Sequence, residues 1–327
     1  MEPELTDIYT NIHPCYVLDN TTYIFTSNPS IICVSLYVFL GLLCVCMICG
    51  NLLVIISIIY FKQLHIHTNY LILSLAVADM LVGVLVFPLS MSFTIFSCWH
   101  HEGLFCKIRD GFDITLSVTS ILNLCCISID RYYAVCHPLT YRSKINDQVI
   151  DIMIMVSWGL AAIIGIGITV VGFSLGKCEE SCLMAAMILI SVSCIFSFYI
   201  PVIVMLSIYL RIFLVAQKQV RSIQSTACTM SGSIVSKMER KATKTLATVM
   251  GVFILCWAPF FIYFIFQPLV YNVTPIAVME TLNWIALLNS LLNPLIYAIF
   301  YSRFRTAYRL IITGKIFQGD FTNTQLF

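Results

Sequence analysis

The chain is 327 residues long, 60% hydrophobic and only 10% charged, with a formal net charge of +2 at neutral pH. A water-soluble domain carries about 25% charged residues, so this composition cannot cover a water-facing surface. It excludes a soluble enzyme or a nucleic-acid-binding domain, and the expected fold class is an all-α membrane protein.

A helix that crosses a bilayer needs about 20 mainly apolar residues. Residues 1–29 are polar and acidic and lack the basic start and apolar centre of a cleaved leader. They read as an external tail, with the first apolar helix as an uncleaved signal. Apolar stretches follow at 30–60, 70–96, 105–135, 149–173, 183–215, 245–268 and 276–300, which predicts a seven-transmembrane helix bundle over residues 30–300. Several stretches contain Pro or Gly, which membrane helices tolerate when neighbours satisfy the freed backbone groups. The connection 216–244 is rich in Ser, Gln and basic residues and predicts a mobile loop. Residues 301–327 form the last unit. Phe304-Arg-Thr-Ala-Tyr-Arg-Leu-Ile-Ile312 reads as a short amphipathic eighth helix on the inner leaflet, ahead of a cytoplasmic tail, and no Cys follows it to carry a palmitoyl anchor. The chain's 15 cysteines are scattered through apolar stretches and read mainly as small buried hydrophobes. Cys98, His100, His101 and Glu102 are either a metal cluster or a polar loop.

Lys and Arg set the orientation. With seven spans and an extracellular N-terminus, fifteen of the eighteen basic residues fall inside, leaving Lys107, Arg109 and Lys177 outside. The outer side instead collects acids, among them Glu2, Asp19, Glu102, Asp110, Glu179 and Glu280, and such a field concentrates cations. Asn20-Thr-Thr22 is an external glycosylation acceptor, and Asn272-Val-Thr274 is a weaker one because Pro275 follows.

Carboxylates inside a span are expensive and either line a polar cavity or glue helices together. Asp79, in Leu73-Ser-Leu-Ala-Val-Ala-Asp79, falls mid-membrane, and Asp113 lies about two turns into the third span. Asp130-Arg131-Tyr132 closes that span at the cytoplasmic edge, where Arg131 can pair with Asp130 or reach Glu239 in the sixth. A charge pair bridging two helices suits a two-state latch.

Taken together these features resemble the rhodopsin-like G-protein-coupled receptors. The resemblance rests on Gly50-Asn51, Leu75, Asp79, Asp130-Arg131-Tyr132, Trp158, Pro201, Tyr209, Phe253, Cys256-Trp257-Ala258-Pro259 and Asn293-Pro294-Leu-Ile-Tyr297. Ser128 to Pro138, Ser236 to Leu246 and Asn289 to Tyr297, ending in Tyr301-Ser-Arg303-Phe304, are similar to a divergent trace amine-associated receptor of the fish or lamprey type. Two departures stand out: Arg303 replaces a usual Trp, and Leu287 replaces a Tyr that many amine receptors carry. The resemblance implies a plasma-membrane receptor for a small amine that couples to a stimulatory G protein and cyclic AMP, meets arrestin, and serves olfaction. It implies Asp113 as counter-ion to the ligand ammonium, and disulfides Cys106–Cys182 and Cys15–Cys178. It implies no cofactor beyond an allosteric sodium ion held by Asp79, Ser120, Asn289 and Asn293. Arg131, Tyr209 and Tyr297 are implied to face the G protein, and Pro201, Pro259 and Pro294 to supply pivots.

An ammonium ion in a dry pocket needs a counter-ion and often an aromatic cage. Trp257, Phe260, Phe261 and Phe264 recur at spacings of three and four, and Trp284 adds a ring from the seventh span; plain packing is the alternative for such a stripe. Ser117 follows Asp113 by one turn, and Ser193 and Ser197 can meet a ligand hydroxyl or bond their own helix. Glu280 sits seven residues before Leu287, which by the resemblance faces Asp113 and lines the ligand site, a rise of about 10 Å. A five-methylene diamine spans roughly 7–8 Å with about 2.8 Å more at each carboxylate contact, so it can bridge Asp113 and Glu280. A solvated helix-end Glu280 is the plainer reading. The rival ligand class is a catechol or indole monoamine using Asp113 with Ser193 and Ser197. A transporter is the rival function, against which the chain shows no internal repeat.

Overall fold

The computed structural model describes residues 16–19, 22–25, 31–96, 104–175, 191–225, 231–266, 276–319 and 321–326. Long runs of Ile, Leu and Val in lipid leave the backbone no partner but itself, so helices result. The first span is Ile31–Tyr60 and the third is Leu104–Cys136. The fourth is Asp147–Leu175, the sixth Ser231–Phe266 and the seventh Ile276–Phe300. The second and fifth are interrupted. His67–Leu81 passes through a π turn at Val82–Val86 into Phe87–Phe96, and a π turn at Ile195–Tyr199 leads into Ile200–Ser225. A proline follows each turn closely, Pro88 and Pro201. A proline ring clashes with the carbonyl four residues earlier, and the wider turn makes room for it. Six spans are apolar over at least 20 residues, and the sixth contributes the described apolar stretch Thr248–Tyr263.

Three features differ from expectation. The connection 216–244 is not a loop throughout: the fifth span runs on to Ser225 and the sixth starts at Ser231, because Ala, Gln, Lys and Arg propagate helix well. A two-stranded antiparallel hairpin, Tyr16–Asp19 with Thr22–Phe25, interrupts the otherwise helical architecture. The cysteines are less buried than expected: among the described free thiols Cys256 is buried, whereas Cys46 and Cys49 are exposed on the first span.

The third span is the hub, packing against the second, fourth and fifth, while the seventh joins the first to the sixth. Fully buried Phe61, Leu71, Leu75, Ile121 and Phe253 form the inner core, and Met47, Val82, Phe87, Leu116 and Leu287 a second cluster. Polar ties fix the register. Asn51 donates to the carbonyls of Met47 (3.0 Å) and Ser290 (3.1 Å), and Trp158 Nε1 donates to Ser74 Oγ at 3.0 Å. Gly50 lets the first and seventh spans close up, since a Cβ there would stand 3.2 Å from Pro294.

The helix Ser302–Ile312 buries Phe304, Ala307 and Tyr308 and exposes Arg303, Arg305 and Arg309, the amphipathic pattern its sequence predicts. Gly314, at φ 68°, then reverses the chain. The tail returns to the end of the first span: Lys62 N donates to the Thr322 carbonyl at 3.0 Å, Leu326 N to Gln63 Oε1 at 2.8 Å, and Leu326 is buried. Leu326→Asp places a charge in this apolar seat and lifts the tail. Hydrogen exchange then accelerates at Lys62 and across 321–326, while the spans keep their protection.

Candidate ligand-binding site

A cavity of about 200 Å³ opens among the third to seventh spans. The third span lines it over more than two turns, from Asp113 and Ser117 to Ile121, because residues four apart share a helix face. Trp257, Phe260 and Phe261 form the opposite wall. Phe261 is held in place by its neighbours: it stacks on Phe198 at 3.9 Å, and its carbonyl accepts the Tyr199 hydroxyl at 2.9 Å. Phe260 stands edge-on to Trp257 at 6.4 Å. Ser193 and Ser197 line the cavity from the fifth span, and the π turn at Ile195–Tyr199 sets where Ser197 comes to lie. Asp113 Oδ1 accepts the Ser117 hydroxyl at 3.2 Å, its hydrogen bond among the described residues.

The structure therefore gathers Asp113, Ser117, Ser193, Ser197, Trp257, Phe260 and Phe261 around one space. Two expected members lie elsewhere. Trp284 packs edge-on against Phe87 at 4.9 Å, and Leu287 is buried in that same cluster with Met47 and Leu116. Both are core residues and neither lines the cavity. The side chains of Phe264 and Glu280 lie outside the described residues; the Glu280 position is in the seventh helix, three residues before Asn283. The sequence reading missed Asn283, Cys194, Ile164 and Ile168, all of which line the cavity. The three-residue step from Glu280 points to Asn283. The two isoleucines carry no signal in a uniformly apolar fourth span.

A second polar site lies deeper. Asp79 is fully buried and accepts three hydrogen bonds: Ser120 Oγ and Ser290 Oγ at 2.8 Å to Oδ1, and Asn293 Nδ2 at 2.7 Å to Oδ2. Ser290 was absent from the expected set. Asn289 is buried nearby in sequence, and both its amide atoms are without partners among the described residues. Carboxylate, hydroxyl and amide oxygens are hard donors, so the residues of this set fit a small hard cation.

At the cytoplasmic end Asp130 is fully buried and accepts from four groups. Thr68 Oγ1 donates at 2.7 Å, Tyr141 OH at 2.8 Å, and Arg131 through Nε at 2.9 Å and Nη2 at 2.7 Å. Arg131 also meets Thr68. Tyr141 comes from a short helix, Pro138–Lys144, between the third and fourth spans, and burial pushes its phenol above the ordinary value. It therefore stays a donor at physiological pH. Glu239, the other expected partner of Arg131, has its side chain outside the described residues. Tyr209 bonds Ser128 at 3.1 Å, and with Tyr297, Phe253 and Arg131 it lines a void of about 20 Å³. Tyr132 faces His137 instead, at 3.4 Å. Cys15, Cys106, Cys178, Cys182, Asn20 and the cluster at 98–102 also lie outside the described residues or their described side chains. Among the described residues no group of three His, Cys, Asp or Glu residues is placed to hold a metal ion.

Comparison with known proteins gives this arrangement its context. Residues 50–297 match the 7 transmembrane receptor (rhodopsin family). The chain is similar to trace amine-associated receptor 1 of Macaca mulatta, 40% identical over 96% of this chain and 98% of the relative. It is similar to trace amine-associated receptor 4 of Mus musculus, 38% identical over 95% and 94%, and to receptor 9 of the same species, 41% identical over 89% and 88%. These relatives are receptors and not enzymes. A bundle organised around its third span, with the family's residues in chain order over three quarters of its length, belongs to the rhodopsin family and, within it, to the trace amine-associated receptors.

Proposed function

We propose that the protein is a plasma-membrane receptor for a biogenic amine, with the ligand ammonium seated on Asp113 and a second ammonium, in a diamine, seated on Glu280. The observation that carries the reading is a carboxylate in a mainly apolar cavity, the one charged group among its described lining, whose hydrogen-bond partner among the described residues is one serine. An ammonium–carboxylate contact of about 2.8 Å is strongest where water is excluded. Trp257, Phe260 and Phe261 supply ring faces and edges for the alkyl part. The diamine half rests on Glu280 standing three residues before the cavity-lining Asn283. A specific observation also favours the monoamine reading: Ser193 and Ser197 line the same cavity, within reach of a catechol or indole polar group.

The N-terminus faces outward, carries glycosylation at Asn20, and is tied by Cys15–Cys178, with Cys106–Cys182 closing the third span onto the second outer loop. The inner face takes a heterotrimeric G protein, of the stimulatory or olfactory type, and then arrestin, through Arg131, Tyr209 and Tyr297. Pro259 and Pro294 sit inside the sixth and seventh helices and provide the pivots. A sodium ion held by Asp79, Ser120, Asn289 and Asn293 would supply a compensating positive charge in the resting bundle.

Two measurements test these assignments. In a cyclic AMP assay, Asp113→Asn weakens every active amine by roughly 100-fold or more, the loss expected when one partner of a buried charge pair is removed. Glu280→Gln lowers potency for 1,5-diaminopentane about tenfold and leaves 2-phenylethylamine unchanged. An unchanged ratio of the two removes the diamine and leaves the monoamine. Separately, Asp79→Asn abolishes the dependence of agonist affinity on sodium concentration; a retained dependence removes the sodium assignment.

A further inference from the structure

The fourth span reaches the cavity with Ile164 and Ile168, and what holds it there differs between its two halves. Three polar ties anchor the inner half: Asp147 pairs with His67 at 2.6 Å, Ser157 Oγ stands 3.6 Å from Cys126 Sγ, and Trp158 Nε1 donates to Ser74 Oγ. Gly165 follows Trp158 by seven residues, about 10 Å further along the helix. At that level Ile163 and Ile166 are 70% and 64% exposed on the side that faces lipid. Lipid is as apolar as isoleucine, so an outer half of this kind stays against its neighbour only where the two backbones can pack closely.

The close packing is a reciprocal clasp of two glycines and two threonines. Thr115, on the third span, donates its hydroxyl to the Gly111 carbonyl at 2.7 Å, and Thr169, on the fourth, donates to the Gly165 carbonyl at 2.7 Å. Each threonine side chain then covers the glycine of the other helix. A Cβ at Gly111 would stand 2.5 Å from Thr169 Oγ1, and one at Gly165 would overlap Thr115 Oγ1 outright. Turning the Thr115 hydroxyl aside does not clear the second place, since Thr115 Cβ and the Gly111 carbonyl oxygen would each remain 3.1 Å away. A methyl group at Gly165 must therefore push helix from helix. The third span is tied to the second through Ser120–Asp79 and Asp130–Thr68, and to the fifth through Ser128–Tyr209. The fourth span has lipid behind it and the Trp158 tie to turn about, so it is the one that yields, and Ile164 and Ile168 withdraw with it.

We infer that Gly165 is a positioning residue for ligand width: by letting the fourth span close onto the third, it holds Ile164 and Ile168 at the cavity wall and limits the breadth of the amine that fits beside Asp113. This rests on the reading of that cavity as the amine site, and Asp113→Asn measured in parallel keeps the two failures apart. The experiment takes apparent dissociation constants for 2-phenylethylamine and the broader 2-(naphthalen-2-yl)ethylamine from ligand-induced thermal shifts of the purified receptor. The variants are Gly165→Ala, Gly165→Ala combined with Thr115→Ala, and Ile164→Ala. Apolar contact of a methylene or two in a pocket is worth about tenfold or more, so Gly165→Ala shifts the ratio of the two constants about tenfold toward the naphthyl amine. Thr115→Ala removes the atoms that the new methyl group meets, and the double variant returns to within about twofold of the wild-type ratio. Ile164→Ala widens the wall with the clasp intact and shifts the ratio in the same direction as Gly165→Ala. A glycine that serves stability alone lowers the melting temperature without ligand and weakens both amines alike. An unchanged ratio in Gly165→Ala therefore overturns the inference, as does a double variant that keeps the shifted ratio. Should Gly165→Ala fail to fold, a folded double variant with the wild-type ratio beside a shifted Ile164→Ala upholds the inference; a double variant that fails equally, or an unmoved Ile164→Ala, overturns it. If Asp113→Asn binds both amines as the wild type does, the cavity assignment itself fails, whatever the Gly165 variants do.

Discussion

The rest of the bundle is arranged around the buried Asp79 carboxylate. Hydrocarbon offers it no water, and an unsatisfied charge there costs several kcal/mol. The chain meets that cost with Ser120 from the third span and Ser290 and Asn293 from the seventh, each within 2.8 Å. Because Asp79 itself sits on the second span, the three bonds pin three helices at one level. Asn51 then ties the first span to the seventh, and Trp158 the fourth to the second. The same rule gives Asp113 its meaning. It lies on the third span, within the same bundle, and among the described residues it accepts one serine hydroxyl where Asp79 accepts three donors.

A continuous column of rings runs from the upper cavity toward the cytoplasmic end. Phe261 lines the cavity and stacks on Phe198 at 3.9 Å, Phe198 meets Phe253 at 6.1 Å, and Phe253 borders the small void with Arg131, Tyr209 and Tyr297. Close-packed rings do not deform continuously, so this stack couples the cavity wall to the cytoplasmic end by direct contact. At the far end Arg131 is held by Asp130 and Thr68, and Asp130 is further held by Tyr141. The tail adds a brace at the same end, since Thr322 and Leu326 bond back to Lys62 and Gln63.

Seven apolar stretches and the amphipathic helix after them were legible because lipid imposes length and apolarity so strictly. Asp79 and Asp113 were legible for the complementary reason, that charge is rare there. What escaped follows physical lines too. The π turns before Pro88 and Pro201 carry no periodic signal in stretches that are apolar on every side; the prolines mark an irregularity there without giving its form. The helices that continue past the membrane to Ser225 and from Ser231 arise from propensity, which a polar stretch hides when it is read as a loop. Leu287 was expected at the cavity by resemblance and Trp284 as a further ring from the seventh span, yet they pack with Phe87 and Met47, because helix rotation decides which neighbour a side chain meets. Asn283 and Cys194 line the cavity from spans whose faces periodicity alone does not orient.

The account turns on charge at Asp113 and not on shape. The most direct test compares a cationic amine with an uncharged ligand of nearly the same outline, such as 3-methylbutylamine against 3-methylbutanol, on the wild type and on Asp113→Asn. The account predicts that the amine is preferred by at least about 100-fold on the wild type and that this preference collapses on Asp113→Asn. Equal potency of amine and alcohol on the wild type, or a preference that survives the substitution, would contradict it.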